Sequence, residues 1–208
     1  MKNKILTGVN EYYSNKIKEF GSTPKGVDWN SKESQYLRFK QLCSIVNPDS
    51  EFTLLDYGCG YGELYFYLCR MFPDNDFSYC GYDISETMIS HAKELHLSSG
   101  NVRFLNVLPD ETFDYTIASG IFNVKLDLAN DKEWEEYIIA TLNTINSISG
   151  KSFSFNALTK YSDPELMRSY LYYADPLWLF DYCKVNFSGN VALLHDYDLY
   201  EFTIIVRK

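Results

Sequence analysis

Leu54-Leu55-Asp56-Tyr57-Gly58-Cys59-Gly60-Tyr61-Gly62-Glu63 decides the fold. An apolar run from Phe52 enters this stretch, and an amphipathic run, Leu64 to Phe72, leaves it. Between them glycine stands at three alternate positions. That order reads as a strand, a tight turn and the start of a helix. Glycine belongs where the backbone takes a positive φ, or where a ligand lies against the main chain with no Cβ in the way. The N–H groups that open the helix favour a polar or anionic partner. Glycine turns are common, so the stretch gains meaning only beside a second signal.

The second signal is Asp83, which ends the apolar run Phe77-Ser78-Tyr79-Cys80-Gly81-Tyr82. An acid about 20 residues past a glycine turn, closing the second strand, is where a ribose diol is gripped in nucleotide-binding α/β folds. Two ligand classes compete for such a site: nicotinamide or flavin dinucleotides, and S-adenosylmethionine. The dinucleotide fingerprint is Gly-x-Gly-x-x-Gly, and here the third glycine comes one residue early. Asp56, two residues before the first glycine, also separates the two classes. A carboxylate in that turn repels a diphosphate and attracts a sulfonium or ammonium group.

Leu55 to Gly62, followed by Gly81-Tyr82-Asp83-Ile84-Ser85, resembles the cofactor-binding signature of class I S-adenosylmethionine-dependent methyltransferases. The likeness runs over residues 50–208 in the order of elements. It implies a Rossmann-like α/β fold whose seven-stranded, mostly parallel sheet has the order 3-2-1-4-5-7-6 and ends in an antiparallel hairpin. It also implies that S-adenosylmethionine is held by Asp56, Gly58, Cys59, Gly60, Tyr61, Gly62, Asp83 and Ile84. Asn106 and Val107 would flank the adenine, and Ser119 would close the site from the fourth strand.

Composition narrows the partners. The 208 residues suit a single domain with a substantial core. A net charge of −9 disfavours a phosphate backbone, so no nucleic-acid partner is expected. The five cysteines show no Cys-x-x-Cys pair, which argues against zinc and fits reduced thiols in a cytoplasm. No apolar run approaches the ~20 residues of a membrane span. Eighteen tyrosines and fourteen phenylalanines are an unusual share, most of them read as core and surface filler. The remainder suit a wall that is apolar yet offers a hydroxyl.

The leading segment, residues 1–50, reads as a helical cap. Residues 9–20 place Val9, Tyr13, Ile17 and Phe20 on one side of a helix. Asn30 with Glu33 resembles a capping box for a second helix reaching Val46. In the methyltransferases that the chain resembles, such an extension folds over cofactor and substrate. This makes Tyr12, Tyr13, Trp29 and Gln35 candidates, and Arg38 a candidate clamp on the methionine carboxylate. Pro73-Asp74-Asn75 and Ser98-Ser99-Gly100 read as the ends of the first two crossover helices.

Thr112 to Ser119 reads as the fourth strand, with Gly120-Ile121-Phe122-Asn123-Val124-Lys125 as its exit loop. Ligands in open α/β sheets sit beyond the carboxyl ends of the strands, so this loop faces the reactive methyl group. Methyltransferases of nucleobase or amide nitrogen often carry Asp/Asn-Pro-Pro-Tyr/Phe there, and Ser119-Gly120-Ile121-Phe122-Asn123 departs from it. Phe122 joins the substrate-facing candidates. Asn123 and Lys125 could position an anionic or hydroxylated acceptor. Asp131 precedes a long amphipathic helix, Trp134 to Ile148, and can cap it.

Residues 157–186 read as a helical lid, one helix starting at Ser162-Asp163-Pro164-Glu165 and another at Asp175-Pro176. Tyr161, Tyr172 and Tyr173 on it could face a substrate. Val191–His195 and Leu199–Val206 are joined by only three residues, too few for a parallel crossover, so they form an antiparallel hairpin. A dinucleotide dehydrogenase domain would instead need a further crossover helix. His195, Asp196 and Glu201 are the candidate bases. Small bacterial methyltransferases associated with surface-glycan biosynthesis share a looser likeness, through residues 113–125 and 172–176. They imply a sugar or phosphorylated small molecule as acceptor. The competing reading is a non-catalytic module that binds S-adenosylmethionine or a nucleotide and serves a partner protein.

Overall fold

Buried runs of aromatic and branched residues make the strands. The computed structural model of the chain describes residues 2–73, 76–97 and 99–208. In chain order the strands are β1 (Phe52–Tyr57), β2 (Phe77–Tyr82), β3 (Val102–Leu105), β4 (Phe113–Ala118), β5 (Ser149–Leu158), β6 (Asn190–Leu194) and β7 (Glu201–Arg207). The helices are α1 (Lys2–Phe20), α2 (Lys32–Leu42), α3 (Glu63–Met71), α4 (Glu86–Leu95), α5 (Asp131–Ile148) and α6 (Pro176–Asn186). One sheet runs β3-β2-β1-β4-β5-β7-β6, the order expected from the sequence. It is parallel except at β7, which lies antiparallel to both β5 and β6.

The two faces of the sheet hold separate cores. Leu54, Ile117 and Ile205 pack with Phe39, Leu42, Leu64 and Leu68 from α2 and α3. Phe153, Phe155, Phe202 and Ile204 pack with Trp134, Ile138, Leu142 and Leu179 from α5 and α6. The split of Ile204 and Ile205 between them is the period-two alternation of a strand buried on both sides. Each fully buried Leu or Phe contributes roughly 1.5–3 kcal/mol.

Helix starts depart from the sequence reading in three places, the first being α1, which begins at Lys2 and not at residue 9. Ser31, not Asn30, caps α2, its hydroxyl accepting from the Ser34 amide at 3.1 Å. Asn130, not Asp131, caps α5 in a reciprocal box with Glu133. Ser85 caps α4 and Asp175 caps α6, as expected. The expected helix terminators Asp74, Asn75 and Ser98 lie outside the described residues.

The largest departure is in residues 159–175. The helix expected from Ser162 is a single 3-10 turn, Pro164–Leu166. Beyond it the amides of Lys125 and Leu126 donate to the Tyr170 carbonyl, and the Tyr172 amide donates to that of Asn123. Leu171 bridges Val124 and Ala174 bridges Thr159. Backbone bonds to the β4 exit loop replace those a helix would have made. Leu166 and Tyr170, which a helix would have buried, stay exposed. No described helix is long and apolar enough to cross a membrane.

Candidate functional site

The three glycines after β1 take φ values of +83°, +55° and +85°, a region that costs an L-residue about 1–2 kcal/mol. At Gly58 a Cβ would also lie 2.4 Å from Ile121 Cγ2, so the β1 and β4 exits touch through a position that admits only glycine. The turn's amides are already committed. Gly58 and Cys59 donate to the Tyr82 carbonyl at 2.7 and 3.0 Å. Gly60 donates to Asp83 Oδ2 at 2.9 Å, while Asp83 Oδ1 accepts from the Ser85 amide at 2.9 Å. These amides are turned inward, away from any diphosphate.

Three carboxylates surround the turn. Asp56 is buried beneath it, and Tyr79 Oη donates to its Oδ2 at 2.5 Å. Burial pushes the Asp56 carboxyl up to about 7; the Tyr79 hydrogen bond opposes the shift and the Asp83 charge adds to it. Burial likewise raises Asp83, against the amides of Ser85 and Gly60. Glu63 opens α3, accepting from Tyr36 Oη at 2.8 Å and pairing with Lys32. A desolvated acidic cradle of this kind favours a cationic group.

Above the turn lies a cavity of about 250 Å³. Asp56, Gly58 to Tyr61, Asp83, Ile84, Ser85, Met88, Ser119, Gly120 and Ile121 form its floor and sides. Leu6, Val9, Asn10 and Tyr13 of α1, then Val27, Trp29, Gln35 and Phe39, form its roof. Ser119 Oγ is buried without a hydrogen-bond partner, a polar atom waiting for a ligand. Burial holds the Tyr13 phenol well above its ordinary pKa, so it is a neutral wall.

Gly62 helps make the turn, but a Cβ there would meet Phe104 and His96. Of the expected cofactor residues, Asp56, Gly58, Cys59, Gly60, Tyr61, Asp83, Ile84 and Ser119 come together around this cavity. Asn106 and Val107 do not: both are exposed, Asn106 bonded to Glu86, and Leu108 lines the cavity in their place. Arg38 is turned away from it. Its Nε and Nη2 donate to Glu201 at 2.9 and 2.8 Å, which also removes Glu201 from the candidate bases.

Among the substrate-facing candidates Tyr13, Trp29 and Gln35 reach the cavity. Tyr12 donates to Asp28 at 2.8 Å, Phe122 is fully buried in the core, and Tyr172 donates to Glu135 at 2.9 Å. Tyr173 accepts from the Arg168 amide, and Tyr161 is exposed beside His195, ring centroids 6.0 Å apart. His195 and Asp196 are exposed at the end of β6. Asn123 accepts from the Leu158 amide at 3.0 Å, and Lys125 pairs with Asp131. Both brace the exit loop from outside. The sequence reading missed Leu6 and Asn10, which stand one turn apart from Val9 and Tyr13 on the helix face it did identify.

The methyltransferase domain family model matches residues 54–142. A curated Mycobacterium tuberculosis protein, named as a methyltransferase, is 49% identical over 166 residues, covering 79% of this chain and 98% of its own. Magnesium protoporphyrin IX methyltransferase of Synechocystis PCC 6803, solved with S-adenosylhomocysteine (SAH) bound, shares the fold at TM-score 0.68. Identity there is 16%, over 97% of this chain and 99% of that one. A methyltransferase structure from Aquifex aeolicus matches at TM-score 0.58 and 16% identity, over 92% and 96% of the two chains.

Proposed function

This chain belongs to the class I S-adenosylmethionine-dependent methyltransferases, and we propose that it methylates an oxygen or nitrogen of a small molecule held under the N-terminal cap. The observation that carries this reading is Asp83, fixed by the Gly60 and Ser85 amides at the floor of a cavity roofed by α1. S-adenosylmethionine supplies an electrophilic methyl group on a sulfonium.

The chain's residues fit that cofactor. Asp83 retains lone pairs for a ribose diol, the glycines let it lie on the main chain, and Ser119 Oγ lacks a partner. Asp83 and, once ionised above about 7, Asp56 give the cradle its negative charge, which favours the sulfonium and ammonium groups. Trp29, Tyr13 and Leu6 exclude water, and the Gly120-Ile121 turn meets Trp29 at the β4 end, where donor and acceptor must be aligned. An acceptor that brings its own lone pair, as an amine or an anion, needs only this positioning.

Residues 1–50 act as cap within a single methyltransferase domain, and residues 170–172, inside the segment 157–186 expected as a lid, brace the β4 exit loop. The acceptor class to screen first is a sugar or phosphorylated metabolite of surface-glycan biosynthesis. The exposed rings of Tyr161, Tyr170 and Tyr200, beyond the same sheet edge, suit stacking on a sugar. The five free thiols fit a cytoplasmic enzyme.

Transfer of labelled methyl from S-adenosylmethionine to a panel of sugars, sugar phosphates, amines and carboxylates tests the reading. Label in at least one small-molecule product, absent with Asp83→Ala, is expected. Label that enters only protein or nucleic acid would overturn the acceptor class.

A further inference from the structure

The face that the sheet turns toward α2 is polar near the cavity. On β5, Phe155 and Ala157 enter the α5 core, whereas Ser154 donates to the Leu42 carbonyl at 2.9 Å and Asn156 faces Glu201. Glu201 opens β7 and is 1% exposed; Arg38 on α2 is 7% exposed. The Arg38 fork donates two hydrogen bonds to this carboxylate, and Asn156 Nδ2 donates to its Oε2. Asn156 Oδ1 then accepts from the Gly120 amide at 2.8 Å.

The contacts close on themselves. The Arg38 guanidinium carbon lies 4.1 Å from the Trp29 ring centroid. Trp29 in turn lies so close to Gly120 that a Cβ there would stand 2.4 Å from its Cζ2. Gly120, at φ +73°, could not carry one without strain. Trp29 and Gly120 line the cavity; Arg38, Glu201 and Asn156 stand behind them. A buried ion pair is a poor way to gain stability, because desolvation offsets its attraction, and apolar residues would hold α2 as well. What a planar fork adds is one fixed geometry.

Building on the function proposed above, we propose that Arg38, Glu201 and Asn156 are positioning residues for methyl transfer. They hold Trp29 of the cap and the Gly120 turn of the core as one rigid wall at the β4 end of the cavity. The cap is thereby set relative to the strand that presents the methyl group. A wall displaced by about 1 Å costs on the order of 100-fold in rate in sites that work by alignment.

The test is a double-substitution cycle on SAH affinity and tryptophan emission, run well below each variant's melting temperature. Glu201→Gln keeps the volume and removes the charge. It should weaken SAH binding about tenfold and shift emission to the red, and Trp29→Phe should abolish that shift. The double variant should bind no worse than the weaker single. If Glu201→Gln does not fold, Asn156→Ala replaces it in the same cycle, with the same expectation. A purely structural role would lower the melting temperature and leave the affinity and emission of folded protein unchanged, which would overturn the proposal. Independent, additive losses would overturn it too. Wild-type protein that fails to bind SAH would instead overturn the function on which the proposal rests.

Discussion

The two halves of the cavity are built in opposite ways. The glycine-turn half comes from residues 56–63 and 82–85, two short segments joined through the Tyr82 carbonyl and the Asp83 carboxylate. The cap half comes from α1, Trp29, α2, β5 and β7, and its central hydrogen bond joins Arg38 to Glu201, 163 residues apart. The first half binds with main chain and acids; the second shapes space with aromatic walls and a buried polar circuit. A site for a shared donor can be local and stereotyped. A site for a particular acceptor has to be assembled from distant segments.

If that contrast holds, substitutions in the two halves fail differently. The largest effect is expected at Glu201. Glu201→Ala leaves the Arg38 guanidinium buried and uncompensated, and should cost about 3–5 kcal/mol of stability in urea denaturation. Asp83→Ala should leave most of the stability in place. It should weaken SAH binding by roughly 1–3 kcal/mol, the cost of unpaired ribose hydroxyls, read by calorimetry. Equal stability losses from both substitutions would break the contrast.

A smaller effect separates cofactor from product. The Asp56 carboxyl is raised by burial to about 7, so the native protein keeps a proton that the unfolded chain sheds near its ordinary pKa. From this group alone, stability falls as pH climbs through the interval between those two pKa values and levels off above about 7. A sulfonium prefers the carboxylate form. S-adenosylmethionine affinity should therefore rise as pH passes through about 7 and flatten above it, more steeply than SAH affinity. Asp56→Asn should remove the difference. The smallest effect is expected at His195, exposed beyond β6. His195→Ala should change stability and methyl transfer by no more than about twofold, the usual scale for an open surface position.

The same contrast explains what the sequence could reveal. Sheet order was legible because buried strands read as apolar runs and the short link before β7, six residues in the structure where three were expected, permits only a hairpin. The glycine turn, Asp56 and Asp83 were legible because their chemistry is written in consecutive residues. Arg38 was picked out as a binding group, but its partner is a carboxylate at the far end of the chain, and spacing carries no trace of such a pair. The helix expected after Ser162 failed for a related reason. Its periodicity was real, but amides of the β4 exit loop claim the Tyr170 carbonyl. Asn106 and Val107 were named from the family's pattern, and the register of this loop sets Leu108 inward instead.

The most direct measurement is calorimetric titration of the purified protein with SAH, with NADH as a parallel ligand. Saturable micromolar binding of SAH and none of NADH is the expected result, since the turn's amides are spent on Tyr82 and Asp83 and its acids repel a diphosphate. Binding of NADH without SAH would contradict the account at its centre.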